Sequence, residues 1–332
     1  MGKYENTQLL PGSNENNINV STPPNNKLRW EKTQSVNAGF DFAVLNQAIN
    51  ISADYYYRYS SDLIGMQVLP LESGFGATTV NWATMRNQGV EISISTRNVN
   101  TRNFTWFTTF NLGYNNNKIL KLNVPENQTT PSLEGYPVGA LFAYKFGGLD
   151  EEGYPLFINK AGEKVTAKEF FNLKFNGPSV GSQLSAEEQR ELYNYVGTTE
   201  PVFSGGFMNT FNIRRFEISV NCIFNLGHYV QTPPSYSLTQ YDRGMNANRD
   251  ILNRWTPGNT ATSYPALMRE GYRKEERAGF EDFRYERYFD TQMRRGDYMR
   301  VQSIRVGYKL PEKITKLFKM DNGSVSLEGR NL

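Results

Sequence analysis

Cysteine and histidine are almost missing from this sequence: Cys222 and His228 occur once each in 332 residues. One cysteine excludes an intrachain disulfide framework and a cysteine-built zinc site. One histidine excludes a histidine-built metal site and leaves a Ser–His–carboxylate hydrolase only His228 as its base. Long hydrophobic runs are missing too. No stretch approaches the ~18 apolar residues of a spanning helix. Met1, Gly2 and Lys3 lead into a polar segment without the apolar core of a secretory signal. Nor is one sign of charge in excess: 36 Lys and Arg face 33 Asp and Glu, so no global field points to nucleic acid. Phosphate-loop and dinucleotide fingerprints do not occur. These absences do not make the chain soluble, because a membrane-spanning strand needs only every second residue to be apolar.

What is present is aromatic surface, 14% of residues, distributed with a period of two. In ISADYYYRYSS (51 to 61), Ile51, Ala53, Tyr55, Tyr57 and Tyr59 share one side of a strand, opposite Ser52, Asp54, Tyr56, Arg58 and Ser60. The same alternation runs through Val36 to Val44, Val90 to Thr96, Phe104 to Tyr114, Phe203 to Ile213, Phe216 to Leu226 and Ile304 to Leu310. A last strand starts at Val325 and Leu327. Each segment has about ten residues, the length that crosses a bilayer at a tilt. The connections alternate between short and long: 46–47, 61–87, 98–103, 116–202, 214–215, 229–297 and 311–322. Such alternation predicts an antiparallel transmembrane β-barrel with short periplasmic turns and long extracellular loops. Ile94 and Val220 are then expected to face lipid, and Ser93 and Asn221 the lumen. Tyr55, Tyr57 and Tyr59 become an aromatic girdle at the outer interface. The competing architecture is a soluble β-sandwich that binds surface glycans through aromatic loops.

Within the long connections, 138–158 reads as a hairpin turned by DEEG. Residues 185–196 read as a short helix with a capping box from Ser185 to Glu188. Asp150, Glu151 and Glu152 lack the spacing of a calcium loop and read as a solvated turn. Arg294 and Arg295 could meet an anion or simply be solvated. The sequence points to no catalytic residue, cofactor or metal. Trp82, Tyr236, Tyr241 and Trp255, with Arg243 and Arg254 beside them, are the candidates for contact with a substrate or a partner, because aromatic faces flanked by polar groups suit both.

Several of these segments resemble one family. LRWEKTQSVNAGFDFAVLNQAINISADYYYRYSSDLI carries a tryptophan–glutamate pair, an N-x-G-x-D-F strand and a D-Y-Y strand ending in aspartate–leucine. With NQGVEISIST, EPVFSGGFMNTFNIRRFEISVNCIFNLGH and GDYMRVQSIRVGYKLPEKI, it is similar to the SusC/RagA-type TonB-dependent outer-membrane transporters. The resemblance implies a 22-stranded barrel with an N-terminal plug and a TonB box. Residues 1–332 would supply its C-terminal part, about eight or nine strands, without plug, TonB box or last strand. It also implies a location in the outer membrane, among its lipids, and import of a bulky oligosaccharide or peptide without covalent chemistry. A SusD-like lipoprotein lid and the TonB complex would be the partners, and nucleic acid would not.

Overall fold

The structure of the protein is a computed structural model that describes residues 3–9, 16–69, 71–123, 128–176, 179–235, 246, 248–267 and 289–332. A hairpin of β1 (Lys3–Leu9) and β2 (Asn16–Thr22) leads into four long strands, β3 (Lys32–Val44), β4 (Ile49–Val68), β5 (Ala77–Asn100) and β6 (Phe104–Leu122). The first loop region holds β7 (Ala140–Ala143), β8 (Phe146–Leu149), β9 (Pro155–Ile158) and β10 (Lys164–Val165). Helix α1 (Ala167–Phe170), β11 (Leu173–Asn176), β12 (Ser179–Ser182), helix α2 (Ala186–Glu191) and β13 (Asn194–Thr198) complete it. The hairpin β14 (Phe203–Ile213) and β15 (Phe216–Leu226) follows. A second loop region begins at β16 (Tyr229–Gln231) and ends at β17 (Met293–Arg295). The chain closes with β18 (Tyr298–Lys309), helix α3 (Glu312–Leu317) and β19 (Ser324–Arg330).

Eight of these strands form one antiparallel sheet in the order β19-β18-β15-β14-β6-β5-β4-β3. Its register keeps the apolar parity on one face across all eight. One row of direct partners reads Phe42–Ile51–Ile94–Phe110–Phe207–Cys222–Val301, and the next Phe40–Ala53–Ile92–Leu112–Gly205–Phe224–Met299. Aromatic contacts knit this face: Trp106 stacks on Phe211 at 5.7 Å between ring centroids, Phe110 on Phe224 at 6.3 Å, and Tyr114 meets Phe203 at 5.2 Å. A sandwich would bury such a face under a second sheet. Here Val36 and Phe40 are each 63% exposed and Leu327 79%, so the face has no cover among the described residues. The apolar rows run from Phe104 to Tyr114, ten residues on. At about 3.3 Å per residue and a tilt near 45° they span roughly 23 Å, close to the ~25 Å apolar band of a membrane barrel.

One row on this face is polar and satisfies itself. Thr96 donates to Asn98 (2.9 Å), Asn98 to Thr108 (2.7 Å), and Thr108 (2.7 Å) and the Trp106 indole (2.9 Å) both to Asn209. A hydroxyl or amide in hydrocarbon is costly unless paired, and these pair across three strands. On the opposite face Tyr56 lies flat across Gly89, where a Cβ would come within 2.6 Å of its ring, and donates to Asn115 (2.8 Å).

The strands outrun the sequence reading. The expected connection 61–87 is mostly a continuation of β4 and β5, 20 and 24 residues long, with a register shift between Ser60 and Leu63. Asp62 sits there at φ 57°, and its carboxylate accepts from Arg29 at 2.5 Å. Trp82 is therefore a strand residue, packed over Gly65, rather than a loop residue. The hairpin around Asp150 and the Ser185 capping box are as expected, although α2 ends at Glu191. The hairpin β1–β2 and helix α3 had no counterpart in the sequence reading.

Two expected outcomes follow from this arrangement. In the full-length protein, Ile94→Arg, in the middle of the apolar rows, is expected to cost about 2–4 kcal/mol and lower the assembled fraction, while Ser93→Arg is mild. Equal losses on heat-modifiable electrophoresis would contradict the facing. Phe157, with no exposed surface at the centre of the first loop region, is expected to lose about 3–5 kcal/mol of local stability on change to alanine. Limited proteolysis should then cut that region while the eight-stranded sheet stays resistant. Unaltered cleavage would show that the loop core is not cooperative.

Candidate substrate and partner surface

The long connections at one end of the sheet fold onto each other. Tyr144, Tyr154, Phe157, Phe170, Phe171, Leu173 and Phe289 form a buried aromatic core, with Phe146, Val165, Leu192 and Tyr193 packed against it. Phe157 stacks on Phe170 at 4.6 Å, and Tyr144 meets Phe171 edge-on at 5.3 Å. Two capped helical turns brace this core. Thr166 accepts from the Glu169 N–H, Ser185 from the Glu188 N–H, and each glutamate returns a bond to its cap's backbone. The Ser185 N–H holds the Glu188 carboxyl below its usual range.

Phe289 comes from the second loop region and completes the core of the first. Its ring lies 4.8 Å from Phe157 and 5.2 Å from Phe146. The neighbouring Asp290 N–H donates to the Tyr144 carbonyl (2.9 Å), and its carboxylate accepts from the Phe146 N–H (3.1 Å). A second clamp lies at Gly153. Its φ of +85° favours glycine, and a Cβ there would come within 2.5 Å of the Trp255 ring. The Ala266 N–H donates to the Gly153 carbonyl at 2.8 Å.

Between these clamps lies a cavity of about 330 Å³. Pro155, Pro233, Pro234 and Pro265 give it rigid apolar walls, with Tyr264 and Phe289 as aromatic surfaces. Thr232, Gln292 and Arg294 supply polar groups. Prolines fix the wall without rotamer freedom, so an occupant orders little of the protein on entering. The arrangement suits an extended chain with apolar side groups and hydrogen-bonding or anionic substituents. A wider cavity of about 640 Å³ opens beside α1 and α2, lined by Lys145, Lys160, Glu169 and Glu191, with Lys160 and Glu191 ion-paired.

The sequence candidates fall in different places. Trp255 packs loop against loop at Gly153, and the Arg254 guanidinium donates to the Ile251 carbonyl at 2.9 Å, closing its own turn. Trp82 lies on β5. Tyr236, Tyr241 and Arg243 lie outside the described residues. Tyr55, Tyr57 and Tyr59 share the apolar face, on successive rows toward the long-loop end. Asp150 accepts from the Glu152 (2.9 Å) and Tyr154 (2.8 Å) N–H groups and so caps its turn. His228 is buried against Gly296 and Tyr298, with Nδ1 unpartnered among the described residues. The adjoining Asp297 accepts from the Gly227 N–H (2.6 Å) and pairs with Arg295 (2.5 Å), both of which hold its carboxyl below the usual range. That carboxylate orders a backbone turn and does not orient an imidazole for catalysis. Sequence reasoning passed over Pro233, Pro234, Tyr264, Pro265 and Phe289. Their Pro-Pro and Tyr-Pro dipeptides were the available signal, since prolines in a loop mark a preformed wall.

Removing the Asp297 clamp makes a pH-dependent expectation. Because the folded carboxyl is depressed, its contribution is complete above its ordinary value near 3.8 and is lost only as pH falls through the lower folded value. Asp297→Asn is therefore expected to loosen the Gly227 turn equally at pH 7 and pH 5, read by proteolysis rate. Loosening confined to pH 7 would contradict the assignment.

Comparison with known proteins places this geometry. The family described as TonB dependent receptor-like, beta-barrel matches residues 2–332. TonB-dependent receptor P3 of Formosa agariphila is 26% identical over 350 residues, covering 100% of this chain and 32% of that protein. TonB-dependent receptor SusC of Bacteroides thetaiotaomicron is 39% identical over 99 residues, covering 30% of this chain and 10% of that protein. Among solved structures, that of the RagAB peptide transporter superposes with a TM-score of 0.74 at 20% identity, over 100% of this chain and 34% of that one. The chain thus spans about a third of the length of the relatives it matches. The structural likeness lies in the fold, and the family match runs along almost the whole chain: it belongs to the TonB-dependent receptor-like β-barrel family of outer-membrane proteins.

Proposed function

We propose that residues 1–332 form the C-terminal part of the barrel of a TonB-dependent importer that brings a bulky oligosaccharide or peptide across the outer membrane. The family match along residues 2–332 carries this reading. The eight-stranded sheet supports it physically. Among the described residues the outer edges of β3 and β19 are unpaired, and in hydrocarbon each open edge must meet further strands, as a closed 22-stranded barrel provides. The long loops face outward from the cell and the short turns face the periplasm. Tyr55, Tyr57 and Tyr59 sit at the outer interface as an aromatic girdle.

Recognition belongs to the docked loops. Their cavity, walled by prolines and aromatic rings, takes an extended segment of the nutrient, and the Arg294 guanidinium meets its anionic groups. The structure superposed above is described as that of a peptide transporter, which favours a peptide among the possible cargoes. A SusD-like lipoprotein covers the loops, and the TonB complex supplies energy through the plug. No bond of the cargo is made or broken.

The test uses the full-length transporter in cells with and without a working TonB complex. A mixture of peptides and a mixture of oligosaccharides are offered, and depletion is followed by mass spectrometry. Depletion is expected only with TonB. The double change Tyr264→Ala and Arg294→Ala is expected to reduce it about thirty-fold while surface display is unchanged, as loss of a binding hot spot of ~2 kcal/mol would. Depletion independent of TonB would overturn the importer reading; undiminished depletion by the variant would overturn the cavity's part in it.

A further inference from the structure

On the apolar face, four residues beyond Val90 toward the long-loop end, Arg86 and Lys118 are direct cross-strand partners, with Tyr59 the partner of Arg86 on its other side. The register is unbroken from Val90 to Arg86 on both neighbours, so these cations point the same way as Val90, Ile92 and Ile94. Like charges opposed across a ladder repel, and a fold keeps such a pair where something neutralises it. Nothing described does so. No ion pair joins either residue to a described carboxylate, and Arg86 Nε is buried without a hydrogen-bond partner. The acid nearest along the strands, Asp62, is held by Arg29 at 2.5 Å and by Lys32 at 4.0 Å. Glu91 lies on the opposite face, paired across the ladder with Asp54.

The depth of the pair fits a particular occupant. Four residues at about 3.3 Å and a tilt near 45° place Arg86 roughly 9 Å beyond the last apolar row. The headgroup layer on each side of a bilayer is about 5–8 Å thick, so the two backbone positions stand just past its outer boundary, within reach of it for long cationic side chains. Tyr59 shares their row, and Tyr57, Gln88 and Asn116 form the row one step nearer the apolar band on the same parity. A guanidinium fork beside an ammonium suits a tetrahedral anion with several acceptor oxygens. A phosphate tethered to acyl chains would be delivered by the same apolar face, which keeps its local concentration high.

We infer that Arg86 and Lys118, with Tyr59, bind the phosphate of a lipid headgroup in the outer leaflet. The site rests on the membrane-spanning reading and is independent of the cargo. The experiment uses full-length protein purified in neutral detergent, with three probes: lipid A bearing its phosphates, the same lipid after enzymatic dephosphorylation, and inorganic phosphate alone. Bound lipid is counted by native mass spectrometry after detergent exchange. Retention of the phosphorylated lipid is expected, with at least a ten-fold loss for the dephosphorylated form and for Arg86→Gln with Lys118→Gln. Lys32→Gln, whose cation already faces Asp62, should retain the lipid. Heat-modifiable migration confirms assembly of each variant, and Lys118→Gln alone replaces the double change if that fails to assemble. Equal retention of both lipid forms, or by the variants, overturns the site. Displacement of the lipid by millimolar inorganic phosphate would reduce it to a free-anion site and overturn the lipid assignment. A protein that stays soluble without detergent would instead overturn the membrane reading itself.

Discussion

Every other feature of this chain depends on the hydrogen-bond ladder between antiparallel strands. In hydrocarbon a backbone N–H or C=O has no partner except another strand, so spanning segments must pair along their whole length and cannot slip. A one-residue slip would turn Ile94, Phe110 and Phe207 inward and Ser93, Asn111 and Gly206 outward together. Because the ladder fixes parity, apolar side chains need only alternate, and the other face is free to be polar. This is why a chain with so few long apolar runs can line a membrane.

The ladder also explains how the loops can be large without being loose. Strands β4, β5 and β6 continue past the apolar rows and present their ends as a rigid base. On that base the two loop regions share one aromatic core, in which Phe289 of the second fills a place in the first. Aromatic burial supplies what a short irregular segment lacks, enough apolar area to offset the entropy of ordering it. The cavity lies where the two regions meet, so its walls come from segments far apart in the chain. Anything that moves one loop region against the other changes the cavity's shape, while the sheet below it stays fixed.

The sequence made the spanning part legible because burial there is one-dimensional: each strand declares its face by its own alternation. Val36 to Val44, Phe104 to Tyr114 and Phe216 to Leu226 all lie on the expected side. Reading failed where the period breaks. At Asp62 a residue at positive φ shifts the register, so residues 63 to 68 and 77 to 87 looked like loop although they are paired strand. Asn209 and Thr108 broke the apolar parity for a different reason, since their cost is cancelled by neighbours on other strands that no single window contains. The loop core was invisible for the same cause. The Phe146 N–H and the Asp290 carboxylate that accepts from it are 144 positions apart, and nothing local to either names the other. The Ser185 cap was read because its whole signature spans four residues. The equivalent Thr166 and Glu169 pair was passed over because its four-residue helix has no apolar period behind it.

The placement of charge follows from the same geometry. Strands that leave the membrane without ending must carry their outward face through the headgroup layer, where alternate residues can no longer be aliphatic. On β4 the outward parity passes from Ile51 and Ala53 to Tyr55, Tyr57 and Tyr59, and on β5 from Ile92 and Val90 to Gln88 and Arg86. Each step exchanges a side chain suited to hydrocarbon for one with an apolar body and a polar tip, and then for a cation on a long apolar stem. Acidic residues on these strands, Asp54 and Glu91, take the inward parity. At this end of the sheet the outward parity of β5 and β6 carries the cations Arg86 and Lys118, while the inward parity of β4 and β5 carries both signs, Arg58 as well as Asp54 and Glu91. A chain read only for its net charge, near neutral, conceals that Arg86 and Lys118 stand outward with no carboxylate opposite either, whereas the inward charges Arg58, Asp54 and Glu91 lie near one another.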